Sequence, residues 1–192
     1  MFDLGGRLRF FPVQGTWEEG ELVTRWRNSP EARDSFYNTD VVTPDTHIRF
    51  VKNRQPHDLV WMIHQKELMI AIGMVSLTVD IKGVTAEYGR LFIDQDYRGK
   101  GYAEEAEYMV MSYAFDILCL AYIWGTVFSA NKAMIDLHRK TGFLIKGEDV
   151  PGHINPRGPV TMVHVYAESW RERRAAVAAK FGLTLPERQP KP

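Results

Sequence analysis

The sequence predicts a single domain of the α/β (α+β) class, a mixed and mostly antiparallel sheet flanked by helices. Three observations carry that prediction. Apolar and polar residues alternate through the middle of the chain, apolar residues recur at three- and four-residue steps on either side of it, and a glycine-rich loop joins a strand to a helix. With 192 residues, 45% of them hydrophobic, the chain can bury one sizeable core and is too short to divide confidently in two.

"LRFFPV" opens as a short strand. "TWEEGELVTRWRNSPEARDSF" then reads as two helical pieces, with Thr16 as an N-cap and the Ser29-Pro30 step restarting the helix at its first position. Thr43 with Pro44 behind it opens a further helix, "TPDTHIRFVKNR". From there the period changes: "LVWMIHQK" and "LMIAIGMVSLTVDIKG" are joined by a polar step at Lys66 and Glu67, and Val75, Leu77, Val79 and Ile81 alternate with Ser76, Thr78, Asp80 and Lys82. "TAEYGRLFID" adds a third strand to this meander. In the helix that follows the glycine loop, Ala103, Ala106, Val110, Tyr113 or Ala114, and Ile117 fall on one stripe. "AYIWGTVF" is a strand, "NKAMIDLHRKTG" a helix closed by Gly142, and "FLIKGEDV" and "VTMVHVYAES" are two more strands. The strands on either side of the loop and its helix should be parallel.

Twenty-four Lys plus Arg balance twenty-four Asp plus Glu. No global field therefore recruits nucleic acid or an anionic membrane, and any anion site must be local. The single cysteine, Cys119, excludes an intramolecular disulfide framework and fits a reducing compartment; its apolar neighbours Leu118 and Leu120 suggest a small buried residue. No stretch approaches the roughly 20 apolar residues of a membrane span, so the expected location is cytoplasmic. There is no His/Cys cluster with metal-ligand spacing.

"DYRGKGYAEEAEYMV" places two glycines and two cations ahead of a helix. The first turn of a helix exposes unpaired N–H groups and the positive end of its dipole, and glycines let a ligand approach that backbone. An anion, above all a phosphate, suits this position. The spacing is not that of a P-loop, because Lys100 is followed by Gly101, nor of a dinucleotide fingerprint, because Glu104 stands at its third small position. An ordinary strand-to-helix turn also fits the loop alone, since Glu104, Glu105 and Glu107 can satisfy the dipole without a ligand.

"RGKGYA" followed about thirty residues later by "VFSANKAMIDLHRKTGF" resembles the paired motifs of the GNAT superfamily of acetyl-CoA-dependent N-acetyltransferases, and the order of strands and helices is similar from about residue 7 to 168. The resemblance implies a GNAT-like domain over residues 1–168, with 169–192 left as a C-terminal basic helix and a proline-rich, disordered tail. It further implies a V-shaped splay between the fourth and fifth strands that receives the cofactor. By the same resemblance Arg98, Gly99, Lys100, Gly101, Tyr102 and Ala103 hold the pyrophosphate, backbone near Phe92 and Ile93 pairs with the pantetheine, and Asn131 contacts the cofactor, although Asn at a helix start is also an ordinary N-cap. Acetyl-CoA is then the acyl donor, no metal is needed, and a homodimer is a family-based expectation.

Acyl transfer to an amine needs a base for the amine and a proton for the departing thiolate. His138 stands where the family often carries a tyrosine acid; the alternative is a helix residue favoured by the C-terminal dipole. Adjacent residues of a strand face opposite sides, so of Glu87 and Tyr88 only one points inward, and Glu87 is the better base. His64 reads as a packed or edge histidine. "WRNSPEARDSFYNTDVVTPDTHIRFVKNR" resembles members that acetylate amines on nucleotide-linked sugars, with Phe36, Tyr37 or Trp61 placed to stack on sugar or base. The expected acceptor is thus a small-molecule amine such as an amino sugar. Two further readings stay open, a protein N-terminal acetyltransferase of the ribosomal-protein kind and a non-catalytic acyl-CoA-binding domain.

Overall fold

The computed structural model describes residues 1–80, 82–148 and 157–186, without the side chains of Glu31, Asp34 and Glu148. Its elements follow the expected order: β1 (Leu8–Pro12), α1 (Trp17–Arg27), α2 (Pro30–Ser35), α3 (Pro44–Asn53), β2 (Asp58–Gln65), β3 (Ile70–Val79), β4 (Thr85–Ile93), α4 (Tyr102–Ser112), β5 (Tyr122–Phe128), α5 (Lys132–Thr141), β6 (Leu144–Glu148), β7 (Val160–Tyr166) and α6 (Ala167–Phe181). The expected caps form. Thr16 accepts from the Glu19 N–H, Ser29 from Ala32 and Thr43 from Thr46, the last completing a reciprocal capping box. Ile81, expected to end the alternation of β3, and the tail from 187 lie outside the described residues.

The strands form one sheet in the order β1-β2-β3-β4-β5-β7-β6. All neighbours pair antiparallel except β4 and β5, which are parallel. Helices cover both faces. On one, α4 and α6 close over Leu8, Phe10, Ile63, Leu77, Ile123 and Val165; Trp170 of α6 is fully buried there, its indole N–H donating to Asp116 at 3.0 Å. On the other, α1, α2 and α3 cover Val60, Met62, Met74 and Phe92 with Val23, Trp26 and Ala32. Alternation along β2 produces this division: Val60 and Met62 face one layer, Trp61 and Ile63 the other.

Two irregularities shape the centre. The β4–β5 ladder comprises only Thr85↔Tyr122, Ala86↔Ile123 and Glu87↔Trp124, after which the strands part. Just past the last pair, a Cβ on Gly125 would lie 2.7 Å from the Tyr88 carbonyl oxygen, so only glycine admits the close approach from which the splay opens. Between β3 and β4 the register slips, Met74 pairing with Phe92 but Ser76 with Gly89, and the extra residue on β4 brings Arg90 to φ 53°. After α4 the chain widens into a π-helical turn, Tyr113–Ile117. Cys119 departs from expectation: it is half-buried, at φ 55°, in the turn leading to β5.

Candidate active site

The splay opens into a cavity of about 740 Å³ that passes through the sheet, with α4 and α5 on one side and the α1–α2 region on the other, a size suited to a cofactor-sized ligand. Gly101 caps α4 from the left-handed region (φ 79°), and no side chain bonds the helix's first N–H groups. The first intrahelical bond runs from Glu105 N–H to Gly101 O, which leaves the amides of Tyr102, Ala103 and Glu104 without helical acceptors. The acids that could have satisfied them are engaged elsewhere. Glu104 pairs with Lys140 at 2.7 Å and Lys180 at 2.5 Å, and Glu105 takes the N–H and Nε of Arg7 at 2.6 and 2.8 Å. Burial raises the Glu104 carboxyl, but hydrogen bonds from the two lysines outweigh it and hold the group below its ordinary range.

Of the residues expected to hold a cofactor, Phe92, Ile93, Arg98, Gly99, Ala103 and Asn131 line this cavity. Lys100, Gly101 and Tyr102 do not. The Lys100 ammonium donates to Asp96 O at 2.8 Å, and the Tyr102 ring lies under the Arg7 guanidinium, 4.4 Å away. A Cβ on Gly101 would meet only Arg7, at 3.5 Å, so its role is to permit the cap conformation rather than to clear the cavity. Arg98 donates from Nε to Ile93 O at 2.8 Å and lies over the Phe92 ring. Asn131 does cap α5, accepting from Met134 N–H at 3.2 Å. Beyond Glu87, β4 has no partner strand on its β5 side, so an extended ligand can align with that edge.

Both catalytic candidates border the cavity. Glu87 is exposed at its rim, whereas Tyr88 points to the opposite face and is buried. Burial first, and then the charge of Glu107, push the Tyr88 hydroxyl well above its ordinary value, so it stays a neutral phenol. His138 is also buried, with Nδ1 at 2.5 Å from Oε1 of Glu107, in contact with Tyr88 and Phe143. The other Glu107 oxygen accepts from the Thr141 hydroxyl at 2.6 Å.

Of the three aromatic residues expected to stack on sugar or base, Phe36 and Tyr37 line the far side of the cavity, but Trp61 does not: it lies in the core against Phe2 and Tyr113. The Tyr37 hydroxyl donates to Thr126 Oγ1 at 2.7 Å, which bridges the α2 loop to β5. Two arginines that sequence reasoning missed face this side. Arg90 donates to Ser76 at 3.0 Å and reaches Asp58 at 3.2 Å. Arg27 stacks 3.6 Å over the Phe36 ring and donates to Asn38 O, while its buried Nε has no partner. Burial and the nearby Arg90 charge push the Arg27 guanidinium down to about 10. Among the described residues no three His, Cys, Asp or Glu side chains are placed to hold a metal, and no helix is long and apolar enough to cross a membrane.

A family model described as an acetyltransferase (GNAT) domain matches residues 7–144. The acetyltransferase PseH of Campylobacter jejuni is 28% identical over 134 residues, which cover 69% of this chain and 81% of PseH. Spermidine N(1)-acetyltransferase of Escherichia coli K12 is 37% identical over 78 residues, 40% of this chain and 41% of the enzyme. Among solved structures, spermidine N-acetyltransferase from Vibrio cholerae in complex with CoA and spermine superposes with a TM-score of 0.74 at 17% identity, over 86% of this chain and 98% of that one. That last likeness is one of fold.

Proposed function

The chain belongs to the GNAT family of acetyl-CoA-dependent N-acetyltransferases, and from that premise we propose that its acceptor is the amino group of a small molecule that also carries an anion, as a nucleotide-linked amino sugar does. The observation behind the acceptor is Arg27. It is a cation in the cavity wall that bonds a carbonyl and stacks on Phe36, with a buried Nε left unpartnered. A phosphate or carboxylate on the acceptor would supply the missing acceptor atom and relieve the repulsion from Arg90. A polyamine would add to that repulsion.

The donor side fits an acyl-CoA on two counts, the uncapped amides that begin α4 and the β4 edge that lacks a partner strand. Arg98, Gly99 and Ala103 would hold the pyrophosphate, and Phe92 and Ile93 the pantetheine arm. When bound, acetyl-CoA supplies an acetyl group activated as a thioester. Glu87, at the solvent-facing rim, takes the proton the amine gives up, directly or through water. His138, in the wall formed by α5, gives a proton to the departing sulfur.

Thiol release from acetyl-CoA across an amine panel tests the acceptor. A nucleotide-linked amino sugar should exceed spermidine in kcat/KM by about tenfold or more, the worth of one charge-assisted contact, and Arg27→Met should remove most of that preference. Better turnover with spermidine, or with peptide N-termini, would overturn this acceptor; binding of acetyl-CoA without thiol release from any amine would overturn turnover itself.

A further inference from the structure

The acyl-transfer reading gives Glu107 no part, yet it is a fully buried carboxylate directly behind a cavity-lining histidine. Its oxygens touch two groups, both on α5: His138 Nδ1 at 2.5 Å and the Thr141 hydroxyl at 2.6 Å. Thr141 is itself fully buried, and the carbonyls of Leu137 and His138, at 3.1 and 3.0 Å, are the alternative acceptors for its single hydroxyl proton, the carboxylate being the nearest. The contact with His138 is at ion-pair distance, too short for intervening water, though not aligned as a hydrogen bond. A carboxylate taken this far out of water needs a positive or donating partner. Across this contact the imidazole is the group that can meet the need.

We infer that Glu107 is a positioning residue, which keeps a proton on Nδ1 of His138 and so offers Nε2 to the reacting atoms. The inference rests on His138 acting as the proton donor. With Glu107 ionised, the ring can carry protons on both nitrogens. As the amine nitrogen bonds the acetyl carbon and the C–S bond breaks, the Nε2 proton passes to sulfur and the ring is left neutral with its proton on Nδ1, still facing Glu107. The proton released by the amine passes to the base or solvent, and solvent restores the one lost from Nε2. The logic is that of a carboxylate orienting an imidazole in an acyl-transfer triad. Here the carboxylate comes from α4, the ring from α5, and Tyr88 of β4 closes the third side as a neutral phenol.

Nitrogen-15 NMR of histidine in the ligand-free protein reads the tautomer directly, the His138 signals being those that vanish in His138→Phe. Nδ1 should carry a proton in the wild type, and Glu107→Gln, whose amide can instead donate to Nδ1, should shift the neutral ring toward protonation at Nε2. In turnover, Glu107→Gln should lower kcat by about tenfold or more, part of what general acid catalysis contributes, with the KM for acetyl-CoA within about twofold. Should Glu107→Gln fail to fold, Thr141→Val removes the hydroxyl that steadies the carboxylate and should give a smaller loss in kcat with the same split. A bare Nδ1 in the wild type, or unchanged kcat in a folded Glu107→Gln, overturns the inference. If His138→Phe loses turnover while Glu107→Gln keeps it, this inference alone falls. If His138→Phe keeps turnover, the proton-donor reading falls and takes this one with it.

Discussion

Each face of the sheet holds a buried histidine against a glutamate, and the two contacts are built differently. On the α1–α3 face, Glu19 and His47 meet at 2.6 Å, and the carboxylate also accepts the backbone N–H groups of Gln14 at 2.9 Å and Gly15 at 3.1 Å. On the α4–α5 face, Glu107 meets His138 at 2.5 Å and otherwise relies on one hydroxyl. His138 lines the cavity, whereas His47 is packed beside Phe50 and is absent from the cavity wall. Burial and a carboxylate partner are therefore common to a histidine that lines the cavity and one that does not. What separates the two is whether the carboxylate is satisfied without the ring, and what the ring's other edge faces.

Replacing each histidine by phenylalanine breaks the comparison at its strongest point. His138→Phe should still bind acetyl-CoA while lowering kcat by about a hundredfold or more, the usual contribution of general acid catalysis. Because it leaves the buried Glu107 carboxylate with one hydroxyl, it should also lower stability at least as much as the loss of His47 does. His138→Tyr should recover part of the loss in kcat. His47→Phe should leave kcat within about twofold and cost about 1.5–3 kcal/mol of stability, the range for a hydrogen bond to a charged group. Turnover measured beside thermal unfolding separates these outcomes, and equal effects of the two substitutions on kcat would erase the distinction.

How much of this contrast could be read from the sequence depends on separation along the chain. The splay was expected only from the resemblance to the GNAT superfamily, whereas the α4 loop was legible because glycines, a strand and a helix start lie within about a dozen residues, where local rules apply. The caps at Thr16, Ser29 and Thr43 were legible for the same reason. Glu107 and His138 are 31 positions apart, and Arg27 and Arg90 are 63, so only the folded sheet brings them together. One local signal existed for Glu107: an acid inside the apolar run "AEYMVMSYAF". It read as a first-turn dipole partner, whereas the helix begins at Tyr102 and turns this side chain inward under α5. Arg90 had no such signal, because its direction comes from a register slip against β3. The ambiguity between Tyr113 and Ala114 in the apolar stripe falls where α4 widens to π geometry, which a fixed 3.6-residue period cannot represent. Trp61 showed the usual failure of an aromatic residue on a strand: its neighbours decide between core and cavity, and Phe2 and Tyr113 claim it.

The start of α4 sharpens the contrast, since the same helix carries the amides without helical acceptors in its first turn and Glu107 further on. Gly101→Val forces a β-branched residue into the left-handed region, a strain of about 1–3 kcal/mol that the helix start can relieve only by moving. Acetyl-CoA should bind about tenfold more weakly. Lys100→Ala removes an exposed ammonium that bonds a carbonyl in its own loop, and its affinity should stay within about threefold of wild type. Calorimetric titration with acetyl-CoA distinguishes these results, and equal, small losses would mean that the loop is only a turn. Neither change should alter the Glu19–His47 side.

That side makes the smallest and most specific prediction, a dependence of stability on pH. Burial raises the Glu19 carboxyl, but the bond to His47 and the two backbone N–H donors outweigh it, so the group is held below its ordinary value of 4.5. A carboxyl depressed in the folded state contributes stability at pH values above its unfolded value and loses it as pH falls through the folded one. Glu19→Gln should accordingly be less stable than the wild type at pH 7, and the gap between their unfolding temperatures should begin to close below about pH 4.5. Other depressed carboxyls, such as Asp3 tied to Lys66 and Arg9, are common to both proteins and cancel in the difference. kcat at pH 7 should not change, because neither Glu19 nor His47 lines the cavity. A gap that stays constant from pH 7 to pH 3 would mean that the carboxylate's charge adds nothing to the α1–α3 tie. A fall in kcat at pH 7 would instead give Glu19 a part in the chemistry and remove the contrast between the two faces.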